Sequence, residues 1–245
     1  MTTTSAPETL HAPPPGPAAQ RIGHAQAVGA AGFAWCSLAL GLSTIGVFSA
    51  ASGSIVLAGT FFYGGIVQLV AGFFALAAGS TFAAAFLTAY GAFWLGYTAI
   101  EFYVAPHIVA QVLAAPANKG LDPHAAAGAA GHAVMQSLGM FLLAWLVVTV
   151  VFAVASIGTN KVTFTAFGLL TLAIVLLLTA YFGASAAGVP QNSALHAAGW
   201  VEIVLAGVAF YLVLAELANE TLGRTVFPLF AFERRPAAAT RAQLA

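Results

Sequence analysis

The ionisable side chains that fall within or beside the long apolar runs of this chain are Glu101, His132, His196, Glu202 and Glu216. Carboxylates and imidazoles can move protons, hold metals or activate nucleophiles, but each task needs a spacing. A metal site in a helix bundle needs pairs such as His-x-x-x-His or Glu-x-x-His, and neither pattern occurs in the apolar runs; Glu8-Thr9-Leu10-His11 lies in the polar N-terminal tail. There is no P-loop and no Ser/His/Asp set at membrane depth, so ATP-driven work and triad hydrolysis are not indicated. No cofactor site is indicated either. Glu216, Glu220 and Arg224 follow at i+4 spacing, which stabilises a helix end. His196, Trp200 and Glu202 cluster where a span begins, the usual place of an interfacial Trp.

Uncharged polar and aromatic residues are better placed for a solute path. Phe33, Ser37, Leu40 and Thr44 step by four, three and four, which puts them on one helix face. Tyr90, Trp94 and Thr98 share a second face, and Thr163, Phe167, Leu170 and Ile174 a third. Gly64, Gln68 and Gly72 form a narrow face that lets helices approach, with Gln68 free to bond across or to line a path. No basic residue lies in the middle of any span. A transported anion must therefore be held by hydroxyls, amides, aromatic edges or helix N-termini.

The elements that must carry these faces are transmembrane helices. From Ile22 to Ile100 the chain contains no Asp, Glu, Lys or Arg, and overall it is 61% hydrophobic and 6% charged. A soluble surface needs charges, whereas a bilayer penalises them by several kcal/mol at mid-depth. Gly, Pro, Asn and charged breaks delimit spans near 28–49, 53–77, 82–104, 132–155, 162–185 and 196–217. This predicts an all-α polytopic membrane protein with six spans in one domain. One long polar loop, from Pro106 to Gly131, separates the third and fourth spans. Residues 1–27 read as a disordered cytoplasmic tail without an apolar leader core, 28–228 as the transmembrane domain and 229–245 as a second cytoplasmic tail. Arg21, Lys161, Arg224, Arg234, Arg235 and Arg241 fall on the side of both ends, and Lys119 on the other. The positive-inside rule then makes both ends cytoplasmic in a multi-pass plasma-membrane protein. Zero net charge suggests no nucleic-acid partner, and the single Cys36 reads as a small buried hydrophobe.

Three blocks then bring a family into view: Phe62-Tyr63-Gly64-Gly65-Ile66-Val67-Gln68, Gly79-Ser80-Thr81-Phe82, and Tyr90-Gly91-Ala92-Phe93-Trp94. With Ala198-Gly199-Trp200, Tyr211, Glu216-Leu217-Ala218-Asn219-Glu220, Gly223-Arg224-Thr225-Val226 and Pro228, the chain resembles the acetate uptake transporter family, which includes YaaH-like acetate/succinate transporters. The resemblance covers about residues 29 to 228. It implies a six-helix protomer, a homo-hexamer and a path for acetate and similar small carboxylates in each protomer. It further implies a constriction of Phe33, Tyr90 and Leu170, with Ala209 as a residue linked to solute choice. Ser37, Gln68 and Trp94 are further pathway candidates. At that constriction Tyr90 alone offers a hydroxyl, able to replace a lost water on a carboxylate oxygen. Where the family carries Asn-Pro-Ala-Pro-Leu-Gly-Leu, this chain has His24-Ala25-Gln26-Ala27-Val28-Gly29-Ala30, without the prolines or the Asn. The inner loop Ala77-Ala78-Gly79-Ser80 also lacks the family's basic charge.

His196 and Glu202 are the candidates for linking transport to pH. Competing readings are a carrier of another small weak electrolyte such as ammonium, a non-transporting membrane sensor or assembly subunit, and an intramembrane enzyme. The orientation is directly testable. A cysteine placed at Asn118 should react with an impermeant thiol reagent added to intact cells, and one at Asn160 should not. The reverse pattern overturns the predicted topology.

Overall fold

The computed structural model describes residues 23–49 and 53–232. The predicted N-terminal tail up to residue 22 and the last residues of the C-terminal tail, 233–245, lie outside the described residues. Among the described residues six helices are long and apolar enough to cross a membrane: α1 Ala25–Thr44, α2 Val56–Ala77, α3 Thr81–Ala114, α4 Pro123–Ser156, α5 Lys161–Phe182 and α6 Asn192–Leu222. Lipid offers no partner to a peptide group, so each span satisfies its own backbone within a helix. At ~1.5 Å per residue α1 spans about 30 Å, the thickness of a hydrocarbon core.

Each helix packs on its neighbours in sequence, and α6 closes the ring by packing on α1. Gln26 near the start of α1 donates to Glu216 near the end of α6 at 2.7 Å, so both described ends lie on one side of the bundle. We call this the terminal side and the opposite one the far side. The helix backbones approach through glycine. A Cβ on Gly32 of α1 would collide with the Tyr63 carbonyl of α2, and one on Gly91 of α3 would lie 2.8 Å from the Leu69 nitrogen of α2. One on Gly41 of α1 would lie 2.8 Å from the Gly199 carbonyl of α6. Lipid-immersed helices gain little from burying apolar surface, and such close backbone packing replaces it.

The two largest boundary differences from the sequence reading each have a local cause. The third helix does not stop before Pro106 but runs on to Ala114. A wider, π-type segment at Ile100–Val104 precedes that proline and absorbs the lost amide donor and the ring clash. On the other strand of the hairpin, α4 starts at Pro123, not near residue 132. Asp122 caps it, its Oδ1 accepting from the backbone nitrogens of His124 and Ala125, with Pro123 at the first helical position. The expected long polar loop from Pro106 to Gly131 is thus mostly a helical hairpin, closed by a short connection that includes a turn at Pro116–Asn118.

The end of α6 also departs from expectation. Gly223, with φ +64°, caps the helix in the left-handed conformation, so Arg224 lies past the last turn and cannot continue the i+4 ladder from Glu220. The chain then folds back. Asn219 Oδ1 accepts from the nitrogens of Val226 and Phe227 at 2.7 and 3.0 Å, and its Nδ2 donates to the Phe227 carbonyl. Tyr211 donates its hydroxyl to the Pro228 carbonyl, and the Lys161 nitrogen donates to the carbonyl of Phe230. Residues 229–232, expected in a free tail, are part of this strap.

Close packing predicts unequal tolerance of alanine. Gly91→Ala should cost about 1–3 kcal/mol through overpacking against α2. In Gly96→Ala the new methyl would meet Phe141 at an ordinary 3.5 Å, so stability should hold or rise. Thermal unfolding of the two purified variants in one detergent checks this.

Candidate functional site

Most residues of three of the helix faces described above turn inward and line two cavities stacked along the bundle. The terminal-side cavity is bordered by Ala30, Phe33, Tyr90, Thr163, Phe167, Leu170 and Ala209, among others. The far-side cavity is bordered by Phe33, Ser37, Leu40 and Thr44 from α1, Tyr90 and Trp94 from α3, and Leu170 and Ile174 from α5. The α6 residue Glu202 closes its wall, with Tyr97 and Tyr181. Phe33, Tyr90 and Leu170 border both spaces and are the lining residues that the two have in common.

Those three side chains are held by an aromatic cluster. The Phe33 and Tyr90 rings meet edge to face with centroids 5.5 Å apart, and Phe33 also leans on Trp94 at 6.2 Å. Tyr90 touches Phe152 and Trp145 of α4 and Phe167 of α5 at 5.8–6.2 Å. Such ring pairs prefer these offset and edge-on geometries and resist sliding. Leu170 packs against the same core from α5.

The hydroxyl of Tyr90 is not free. Its oxygen lies 2.7 Å from Thr149 Oγ1 on α4, and Thr149 Oγ1 in turn donates to the Trp145 carbonyl at 2.7 Å. The pairing with Thr149 holds the Tyr90 hydroxyl against the α4 wall, while its ring faces the cavities.

The other predicted residues divide. Ser37 and Trp94 line the far-side cavity and Ala209 the terminal-side one. Gln68 lines neither; it is fully buried among the helices, and neither polar atom of its amide has a hydrogen-bond partner among the described residues. Thr98 faces away from both cavities and shares a 2.7 Å hydrogen bond with Thr60 of α2. His196 is exposed and lines neither cavity. Trp200 is 59% exposed, on the outward surface of α6. Glu202, expected near a span end beside them, is instead 6% exposed and about 15 Å along the axis from Asn192. It turns inward because it lies two and six positions from Trp200 and His196, on another face of α6. Sequence reasoning missed the α4 contribution of Leu138, Phe141, Leu142 and Thr149. The hydroxyl of Thr149, set between the apolar runs Leu146–Val148 and Val150–Val154, was a signal for it.

The GPR1/FUN34/yaaH family profile matches residues 7–234. The succinate-acetate/proton symporter SatP of Escherichia coli K12 is 32% identical over 202 residues, 82% of this chain and 92% of that protein. Acetate permease A of Emericella nidulans is 27% identical over 224 residues, 91% of this chain and 71% of the permease. A solved structure of the bacterial acetate channel SatP superposes with a TM-score of 0.65 at 29% identity, covering 85% of this chain and 99% of that one. Six membrane-length helices, the inward faces and these matches agree: the chain belongs to the GPR1/FUN34/yaaH family.

Proposed function

We propose that this protein conducts acetate and related small carboxylates across the plasma membrane, along the line of the two cavities and through the ring of Phe33, Tyr90 and Leu170. The observation that carries the reading is the pair of cavities bordered by the same three large side chains from three helices. Relatives named as an acetate permease and a succinate-acetate/proton symporter support the class of solute. The protein acts as a conduit and not as an enzyme.

The chemistry follows from the lining. An apolar ring gates by excluding water, so a solute must shed hydration to cross it. Phe33 and Leu170 bring no hydrogen-bonding group, and the Tyr90 hydroxyl is already hydrogen-bonded to Thr149. Only a small solute with one polar end can keep that end hydrated in one cavity while its methyl enters the ring. Ser37 and the ring of Trp94 stand just on the far side. They can take over part of the hydration shell. The small Ala209 keeps the terminal-side cavity open against Phe33 and Tyr90. We further propose a homo-hexamer, as the resemblance to the family implies, with both ends cytoplasmic, since Lys161 and Arg224 lie on the side of both ends and Lys119 on the other.

Labelled-acetate uptake into proteoliposomes tests the function. Leu170→Ala should raise uptake of lactate and succinate relative to acetate by roughly tenfold, the scale on which a few methylenes discriminate. An unchanged ratio places the path elsewhere. Mass measurement of the detergent-released complex should return about six copies of the 24.9 kDa chain; a transporting monomer would refute the assembly.

A further inference from the structure

The far-side cavity holds one carboxyl group, and nothing in its wall neutralises it. Glu202 is buried, its Oε2 has no hydrogen-bond partner among the described residues, and no Lys, Arg or His lines the space. The titratable groups around it are few. Helix α3 brings Tyr97 and Glu101 and α5 brings Tyr181, the two tyrosines standing within electrostatic range of both carboxyl groups. Helix α1 meets it with Gly41 and lines the cavity with Ser37 and Thr44, which do not titrate, and α4 lines it with Leu138, Phe141 and Leu142. On α6 itself, His196 is exposed and lines no part of the cavity.

Resting on the proposed conduction of small carboxylates, we propose that Glu202 is the residue that delivers a proton to each carboxylate in the far-side cavity, so that the neutral acid crosses the apolar ring. The carboxylic acid form of Glu202 donates a strong O–H···O⁻ hydrogen bond to the arriving anion. The proton then passes from the Glu202 oxygen to the solute oxygen: one O–H bond breaks, one forms, and no electrons change hands. The protonated solute moves between Phe33 and Leu170 without carrying charge into an apolar ring. The Glu202 carboxylate left behind repels the next anion. At about 6 Å and an effective dielectric near 20, that repulsion lowers local anion occupancy on the order of a hundredfold. A hydronium ion reaching the far-side mouth restores the acid and resets the site. One proton accompanies each carboxylate.

The test uses the full-length protein in proteoliposomes with a pH-sensitive dye inside and labelled acetate outside, corrected for protein-free vesicles. The wild type should acidify the lumen as acetate enters, and its uptake should fall as external pH rises. Glu202→Gln should lose both the acetate-driven acidification and the dependence on external pH. If Glu202→Gln transports with both intact, Glu202 is not the proton donor, while the proposed function stands. If the wild type takes up no acetate, the proposed function itself fails. If the variant does not assemble on gel filtration, an imposed potassium diffusion potential on the wild type decides. Uptake indifferent to the potential supports passage of the neutral acid, and uptake that follows it overturns the proposal.

Discussion

Everything in this bundle rests on how closely the backbones of α1, α2 and α3 approach one another. In lipid, helices gain little by hiding apolar surface from apolar surroundings, and contact quality must hold them instead. Gly32 lets α1 reach the Tyr63 carbonyl, Gly91 lets α3 reach the backbone at Leu69, and Gly64 admits Cys36 and Trp94 to the α2 surface. With these three helices drawn together, Phe33 and Tyr90 point into the same space and meet edge to face. A methyl group at any of these glycines would push apart the helices that define the ring.

From that contact the remainder of the site follows. The aromatic cluster around Tyr90 recruits Trp145 and Phe152 from α4 and Phe167 from α5, and so fixes where Leu170 stands. Thr149 holds the tyrosine through the 2.7 Å hydrogen bond between their hydroxyls. On the terminal side, Gln26 bonds to Glu216 within the segment where the family's proline-rich motif has been replaced. The strap after Gly223, pinned by Asn219 and Tyr211, packs on the same end. The two ends of the bundle are thus built differently: hydrogen-bonded backbone and amides at one, an aromatic-lined cavity with a single carboxyl at the other.

Much of this was legible in the sequence because charge and periodicity respond directly to the bilayer. The charge-free stretch to Ile100 implied the class, and i+3/i+4 stepping put Phe33, Ser37, Leu40 and Thr44 on the face that lines a cavity. What escaped were features that depend on another helix. Pro106 read as a stop because the π-type widening that accommodates it leaves no composition signal. Asp122-Pro123 was a readable helix start, overlooked in an Ala- and Gly-rich run. The inward turn of Glu202 depends on where α6 begins, and Asn192 lies a full turn before His196. The partnership of Tyr90 with Thr149 joins residues on helices separated by the whole hairpin, which no spacing rule reaches.

Passage of solute between Phe33, Tyr90 and Leu170, as proposed, can be probed with Leu170→Cys in a Cys36→Ser background, reconstituted and treated with a small membrane-impermeant methanethiosulfonate reagent during acetate uptake. A path through this ring predicts that the introduced thiol reacts, that uptake is blocked in proportion to labelling, and that excess acetate slows the reaction. Full labelling with undiminished uptake, or a thiol that never reacts while acetate still flows, would contradict it.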